Sequence, residues 1–357
     1  MEGILLNYSG GCNRFENLPK QCVIHLSDKM ERMLPKRLEA RETVMRSVFP
    51  KRLELGDTIG VITPSEPVLE EKHERYNKGI EALIDKGFKI VVGNFVLSNP
   101  DSYISAGDVE RAGDINAMFA SPEVTTILCT TGGYNSNGLL PYLNYDLIKN
   151  NPKIFVGLSD PTAIINAIHK KTGLVTFHGP SVMSDFGKGI HPYTEKYFER
   201  ALMGAEPIGR VEELSKWEIL KEGKAQGRLI GGNLSTLQLM IGTEYEPQWK
   251  DCILFWEEIG AEPYFIEQKL IQFKQAGILN QLNGMIVGRC VDCEMKSFKR
   301  LTSIQEVVNK VCKDYKFPII YNVDLGHTRE KITIPLGVRG YIDTNNNEFS
   351  IVDRAVR

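Results

Sequence analysis

The 357-residue chain has 43 basic and 45 acidic residues, a formal net charge of −2, 42% hydrophobic residues and 25% charged ones. This is the balance of a globular chain with room for about two domains, and without a long basic block it argues against nucleic acid or an anionic membrane as the main partner. No apolar run approaches the roughly 18 residues that a membrane helix requires. Seven scattered cysteines, an odd number, suit the reduced thiols of a cytoplasmic protein better than a disulfide framework.

Residues 1–46 show no clear pattern. They read as an N-terminal extension, either a loosely attached arm or residues translated from an upstream start with Met45 as the working one. Their apolar patch is short, and Glu2 stands where a signal peptide wants positive charge. Before Cys12, Ser9 stands where a lipoprotein cleavage site wants an apolar residue.

From Pro50 a regular pattern begins. DTIGVITPS is a β-rich run ending at Pro64 and Ser65. EEKHERYNKGIEALIDKG places Tyr76, Ile80, Leu83 and Ile84 at helical spacing, with Gly87 as the stop. FKIVVG is a second strand, VERAGDINAMFA a helix, VTTILCTT a third strand, LLPYLNYDLIKN helical in pieces, and KIFVG a fourth strand. Strands apolar on both faces, alternating with helices, predict a parallel sheet covered on both sides, with ligands at the carboxyl ends of its strands.

After GLVTFHGP the rhythm loosens, and 181–224 reads as a linker region with a helix near 193–203. GRLIGGNLSTLQLMIG then turns from strand to helix. CILFWEEIG is a strand, YFIEQKLIQFKQAG a helix and LNGMIVGRC a strand, followed by a helix near 302–313 and a strand at 317–322. RGYIDTNNNEFSIVD is a hairpin turning at 344–347. The fold class is therefore α/β: a mostly parallel α/β domain over 47–180 and a smaller mixed domain with several β-strands over 225–357.

Three stretches carry candidate chemistry. In KIFVGLSDPTAII, Ser159 sits on a strand-to-helix turn, the setting of a nucleophile elbow. Pro161 replaces the usual second glycine, and Ser159 or Asp160 would equally serve as a helix cap before a proline at the first helical position. In TTGGYNSNG, two glycines end an apolar strand and free backbone N–H groups to face a developing oxyanion; a simple turn is the competing reading. It is neither a phosphate loop nor a dinucleotide fingerprint.

The third stretch is ILFWEEIGAEPY, where strand alternation sends one of Glu257 and Glu258 into a cleft and the other away. A buried glutamate needs a partner, and His327, after Gly326 in NVDLGHTREKITIPLG, is the candidate. His178, at the end of TFHGP, is its only real competitor among the six histidines. A serine nucleophile needs a base, and the base an anion to fix its tautomer; Ser159, His327 and Glu257 supply those roles. Cys290-Val-Asp-Cys293 has no second cysteine pair or histidines at ligand spacing, so no zinc site is read there; metal or redox work by this pair stays an alternative to plain structural thiols.

Together FPKRLELGDTIGVITPS, TTGGYNSNGLLPYLNYDLIKNNPKIFVGLSDPTAI, KTGLVTFHGP, GRLIGGNLSTLQLMIGTEYEP, ILFWEEIGAEPY and NVDLGHTREKITIPLG resemble the LD-carboxypeptidase family, which includes the microcin C immunity peptidases. The resemblance runs from Phe49 almost to the end of the chain. It implies a serine peptidase with Ser159 as nucleophile, Glu257 and His327 completing the triad, and the backbone N–H groups of Gly133 and Asp160 as oxyanion donors. Leu158 departs mildly from the family's aromatic residue before the serine. The resemblance also implies a site at the junction of the two domains, a homodimer, and no cofactor or metal.

Two substrate classes fit it: a murein L,D-tetrapeptide that loses its terminal D-alanine, or an aminoacyl-nucleotide conjugate cut at its amide. Asn233 in GGNL and Tyr134 in GGYNSN are the candidate substrate contacts, with packing of the second domain the competing role for Asn233. The immunity subgroup carries a longer insertion before GRLIGGNL, with an aromatic that stacks on the nucleobase; here 205–226 is short and offers only Trp217. An esterase on a similar sheet, or a non-catalytic binder using the glycine turn alone, are the alternative readings.

Overall fold

The computed structural model describes residues 47–98, 102–297 and 302–357; the expected extension over 1–46, with Cys12 and Cys22, lies outside them. The first half alternates as β1 (Thr58–Ile62), α1 (His73–Asp85), β2 (Lys89–Val92), α2 (Asp108–Ala120), β3 (Val124–Cys129), α3 (Tyr145–Asn150), β4 (Ile154–Gly157), α4 (Thr162–Thr172) and β5 (Phe177–His178). The order continues with α5 (Pro192–Leu202), β6 (Gly209–Arg210), β7 (Glu218–Lys221), β8 (Lys224–Asn233), α6 (Leu234–Met240), β9 (Cys252–Ile259) and α7 (Pro263–Gln275). It closes with β10 (Leu282–Val291), α8 (Ile304–Val311), β11 (Ile319–Val323), β12 (Ile334–Pro335), β13 (Arg339–Asp343) and β14 (Glu348–Ile351). No helix among the described residues is long and apolar enough to cross a membrane.

Local chemistry sets several of these boundaries. α4 ends where Gly173 takes φ 77° and returns its N–H to the His169 carbonyl at 2.8 Å, a conformation that costs glycine least. α8 starts at a capping box in which Ser303 and Glu306 satisfy each other's backbone amides. β4 is buried on both faces and β3 almost so, as expected for central strands of a covered parallel sheet.

Two sheets result. The first has the order β12-β5-β4-β3-β1-β2 and is parallel except for β12, which runs against β5. The second has the order β6-β14-β13-β8-β9-β10-β11-β7, with a parallel centre from β8 to β11 and antiparallel flanks. In the first sheet the winding reverses between β1 and β3, so the loops after these strands diverge and leave a crevice at their carboxyl ends.

The stretch 181–224, read from the sequence as a linker, contains α5, β6 and β7, and the two strands extend the second sheet at its opposite edges. β12 is a further surprise: the chain leaves β11 of the second sheet and returns to the first, pairing Ile334 with His178. The strap from 324 to 333 that makes this crossing is pinned along its length. Thr194 Oγ1 of α5 donates to the Arg329 carbonyl at 2.7 Å and accepts from the Lys331 amide at 2.9 Å. Lys331 Nζ forms an ion pair with Asp185, and both side chains are buried, at 4% and 3% exposure.

Removing one member of such a pair strands the other charge away from water. Lys331→Met is expected to lower unfolding stability by about 3–5 kcal/mol in urea titrations, and adding Asp185→Leu to recover part of that loss. A single variant as stable as the wild type would mean that the strap is not held by this pair.

Candidate active site

The carboxyl ends of β1, β3 and β4 in one sheet, and of β8 and β9 in the other, face a shared cavity of about 650 Å³. Ser159, His327, Gly133, Asp160, Asn233 and Tyr134 all border it.

Ser159 lies between β4 and α4 with φ 70°, in the left-handed region that non-glycine residues seldom occupy. Its carbonyl accepts from the Thr162 amide at 2.9 Å, opening the first turn of α4. The bent backbone thus holds the hydroxyl at a strand end, in front of a helix whose positive end faces it. Gly132 is indispensable to this arrangement: a Cβ there would lie 2.6 Å from Ser159 Cβ and 2.9 Å from its Oγ. Gly133, at φ 138°, passes so close to Glu66 that a Cβ would meet its amide nitrogen at 2.5 Å.

Asp160 does not cap the helix, contrary to one expectation. Its carboxylate accepts from Ser65 Oγ at 2.5 Å and from the Ser136 amide at 2.9 Å, while Ser136 Oγ donates to the Asp160 carbonyl at 2.6 Å. Burial pushes this carboxyl above its ordinary range against the pull of those hydrogen bonds. The residue ties the loop after β1 and the glycine turn after β3 to the turn that carries Ser159.

Glu257 is fully buried at the end of β9 and sits in register with Asn233 at the end of β8. His327 Nδ1 lies 2.6 Å from Glu257 Oε2. Burial opposes charge on both groups. Burial raises the Glu257 carboxyl, but attraction to His327 and its hydrogen bond outweigh it and leave the group below its ordinary value. Burial lowers the His327 ring, but the Glu257 charge overcomes it and leaves the imidazole above 6.5. Gly326, at φ 106°, allows the approach, since a Cβ there would stand 2.8 Å from Glu257 Cβ. Just upstream, buried Asp324 anchors the loop, accepting from the amides of Leu214 and Ser215, from Trp217 Nε1, all at 3.1 Å, and from Arg289 at 3.2 Å.

The two glutamates do not point to opposite sides in the simple way that strand alternation suggested. Asn233 Nδ2 reaches both, at 3.2 Å to Glu257 and 3.1 Å to Glu258. Glu258 also takes the Ser235 amide at 3.0 Å and hydroxyl at 2.6 Å, and it is Glu258 that borders the cavity. Asn233 thus caps α6 through its side-chain oxygen while its nitrogen bridges both carboxylates. His178, the competing base, is a core residue. It is fully buried, packs edge-on against Phe255, and burial drives its ring down to about 4, so it stays neutral.

Family models match both halves of the chain. The one for the LD-carboxypeptidase N-terminal domain matches residues 59–179, and the one for the C-terminal domain matches 226–342. The chain belongs to the LD-carboxypeptidase family. A probable murein peptide carboxypeptidase of Bacillus subtilis is 35% identical over 84% of this chain and 94% of its own. The microcin C7 self-immunity protein MccF of Escherichia coli is likewise 35% identical, over 85% of this chain and 95% of its own. The solved structure of MccF in complex with aspartyl sulfamoyl adenosine superposes with a TM-score of 0.81 at 32% identity, covering 87% of this chain and all of that one. The protein is an α/β enzyme, an amide hydrolase of the serine carboxypeptidase kind.

Ser65 and Ser136, which hold Asp160, were not singled out from the sequence, nor were Glu66, Lys188, Arg329 and Lys331, which bring charge to the cavity. Ser65 was within reach, since it directly follows a strand whose carboxyl end was expected to face ligand. The three cations lie in irregular segments without a pattern of their own. Trp217 is no part of the cavity lining; it is buried, with its Nε1 on Asp324.

The opposing influences on His327 make its titration a direct test. By NMR its ring should titrate above 6.5 in the wild type. In Glu257→Gln it should fall, because burial and the Lys331 charge are then opposed only by Glu258. An unchanged midpoint would show that the two side chains are not paired in solution.

Proposed function

We propose that the protein hydrolyses the amide bond at the carboxyl end of a small peptide, with Ser159 as nucleophile, His327 as general base and then acid, and Glu257 as its orienting anion. The single observation that supports this most is the 2.6 Å Glu257–His327 hydrogen bond on the rim of the cavity that also holds Ser159 and the glycine turn. Glu257 keeps the proton on Nδ1, so Nε2 is free to take the Ser159 proton as Oγ attacks the carbonyl carbon. The N–H groups of Gly133 and Asp160 meet the resulting oxyanion. His327 then returns the proton to the departing amine, and water, activated by the same imidazole, cleaves the acyl-enzyme. The lobes over 47–180 and 225–357 act as two domains with the site at their junction. The enzyme works in the cytoplasm as a homodimer, without cofactor or metal.

A cavity of about 650 Å³ suits a short peptide. The exposed cations Lys188 and Arg329, on the His327 side, favour a free terminal carboxylate there, as in a murein L,D-tetrapeptide of peptidoglycan recycling. One feature favours the second reading, an aminoacyl-nucleotide conjugate: Tyr134 is 63% exposed at the cavity edge and offers a stacking face that the buried Trp217 does not. An esterase role would share the triad but none of this preference for an anionic leaving group.

Incubation with an L,D-tetrapeptide, an aminoacyl sulfamoyl adenosine and short acyl esters, followed by mass spectrometry, separates these readings. Ser159→Ala should lower kcat by about 10⁴- to 10⁶-fold while the protein stays folded. The kcat/KM profile should rise with pH through a midpoint above 6.5, as His327 loses its proton. Full turnover by Ser159→Ala would overturn the mechanism.

A further inference from the structure

We propose that Cys290 and Cys293 form a dithiol that a small-molecule disulfide oxidises to an intramolecular disulfide. The pair is built by backbone geometry. Cys290 lies in β10, which ends at Val291, and Asp292 follows with φ 53°. In an extended strand residues three apart point to opposite faces. The left-handed residue turns the chain and brings the two side chains into hydrogen-bond contact. Both residues border a second cavity of about 470 Å³, separate from the hydrolytic one and edged by Pro263 and Tyr321, large enough for a small disulfide.

The two sulfurs differ in their surroundings: Cys290 is partly exposed, whereas Cys293 is 3% exposed and donates its thiol hydrogen to the Val291 carbonyl at 3.2 Å. The Cys290 hydrogen bond draws the Cys293 thiol below its ordinary range; burial opposes it, and the amides of Ala261 and Gly260 add to it. The same bond, and then burial, keep Cys290 protonated far above its ordinary range. The remaining described cysteines behave as inert core groups. Burial pushes Cys252 and Cys312 up to about 12 and Cys129 higher still.

The step balances without another reactant. The thiolate of one cysteine attacks one sulfur of the small disulfide, breaking its S–S bond, releasing one thiolate and forming a mixed disulfide. The other cysteine then attacks the protein sulfur of that mixed disulfide and expels the second thiolate, its own proton passing to a released sulfur. Two protein thiols are oxidised, and one disulfide is reduced to two thiols.

The test uses the reduced full chain, incubated with glutathione disulfide, alkylated and mapped by peptide mass spectrometry. The expected product is one peptide in which Cys290 and Cys293 are joined with the loss of two hydrogens, while Cys129, Cys252 and Cys312 are alkylated only after denaturation. Neither Cys290→Ser nor Cys293→Ser should form a protein disulfide at this pair; each should stop at the glutathione mixed disulfide on the cysteine that remains. Circular dichroism verifies that each variant is folded, and Cys290→Ala replaces Cys290→Ser if the latter is not. Overturning results are a wild-type pair that stays reduced under these conditions, or one that carries glutathione on either cysteine and forms no internal disulfide.

Discussion

The contact on which this site turns is the hydrogen bond between a fully buried carboxylate and an imidazole at the rim, Glu257 and His327 at 2.6 Å. An isolated carboxylate in that position would be driven to its neutral form. Here the His327 charge, its hydrogen bond and the Asn233 amide reverse the penalty. The same attraction raises the imidazole's proton affinity, so one interaction both keeps the anion in place and tunes the ring. It persists only because Gly326 removes the one atom that would keep the loop away.

Two rigid connections then bring this pair to the serine. α4, which begins directly after Ser159, packs against the end of β8. Thr162 Oγ1 accepts from the Asn233 amide at 3.0 Å, and Asn166 Nδ2 donates to the Gly231 carbonyl at 2.9 Å. The strap that leaves β11, carries His327 and ends as β12 beside β5 makes the second connection, held by Thr194 and the buried Lys331–Asp185 pair. The strand ends of both sheets therefore converge on one cavity, and a small shift of either connection would be felt as misalignment at the reacting atoms. The strained turn at Ser159 is tolerable in this setting because Asp160, Ser65 and Ser136 lock its surroundings.

Much of this was legible in the chain. The alternation of apolar runs and amphipathic helices announces a covered parallel sheet, and such a sheet restricts the search for ligand groups to strand ends, where Ser159, the Gly132-Gly133 turn and Glu257 were found. The short elements were not legible. β6 and β12 have two residues each and carry no periodicity, and their pairing depends on partners far away in the chain. The splitting of duties between Glu257 and Glu258 was also hidden. Alternation treats a strand in isolation, whereas a single asparagine on the neighbouring strand draws both carboxylates to itself.

The sequence by itself determined which residue types stand where strands stop and helices start: a serine on a sharp turn, paired glycines, a glutamate after an apolar run and a histidine after a glycine. These are local properties, set by backbone freedom and hydrophobic period. Only the tertiary structure decided that His327 rather than His178 meets Glu257, that Trp217 is buried away from the cavity, and that Asp160 braces three loops instead of capping its helix. Those choices depend on distances between segments up to 168 residues apart, from Ser159 to His327, and on the burial that their packing creates, neither of which a linear pattern encodes.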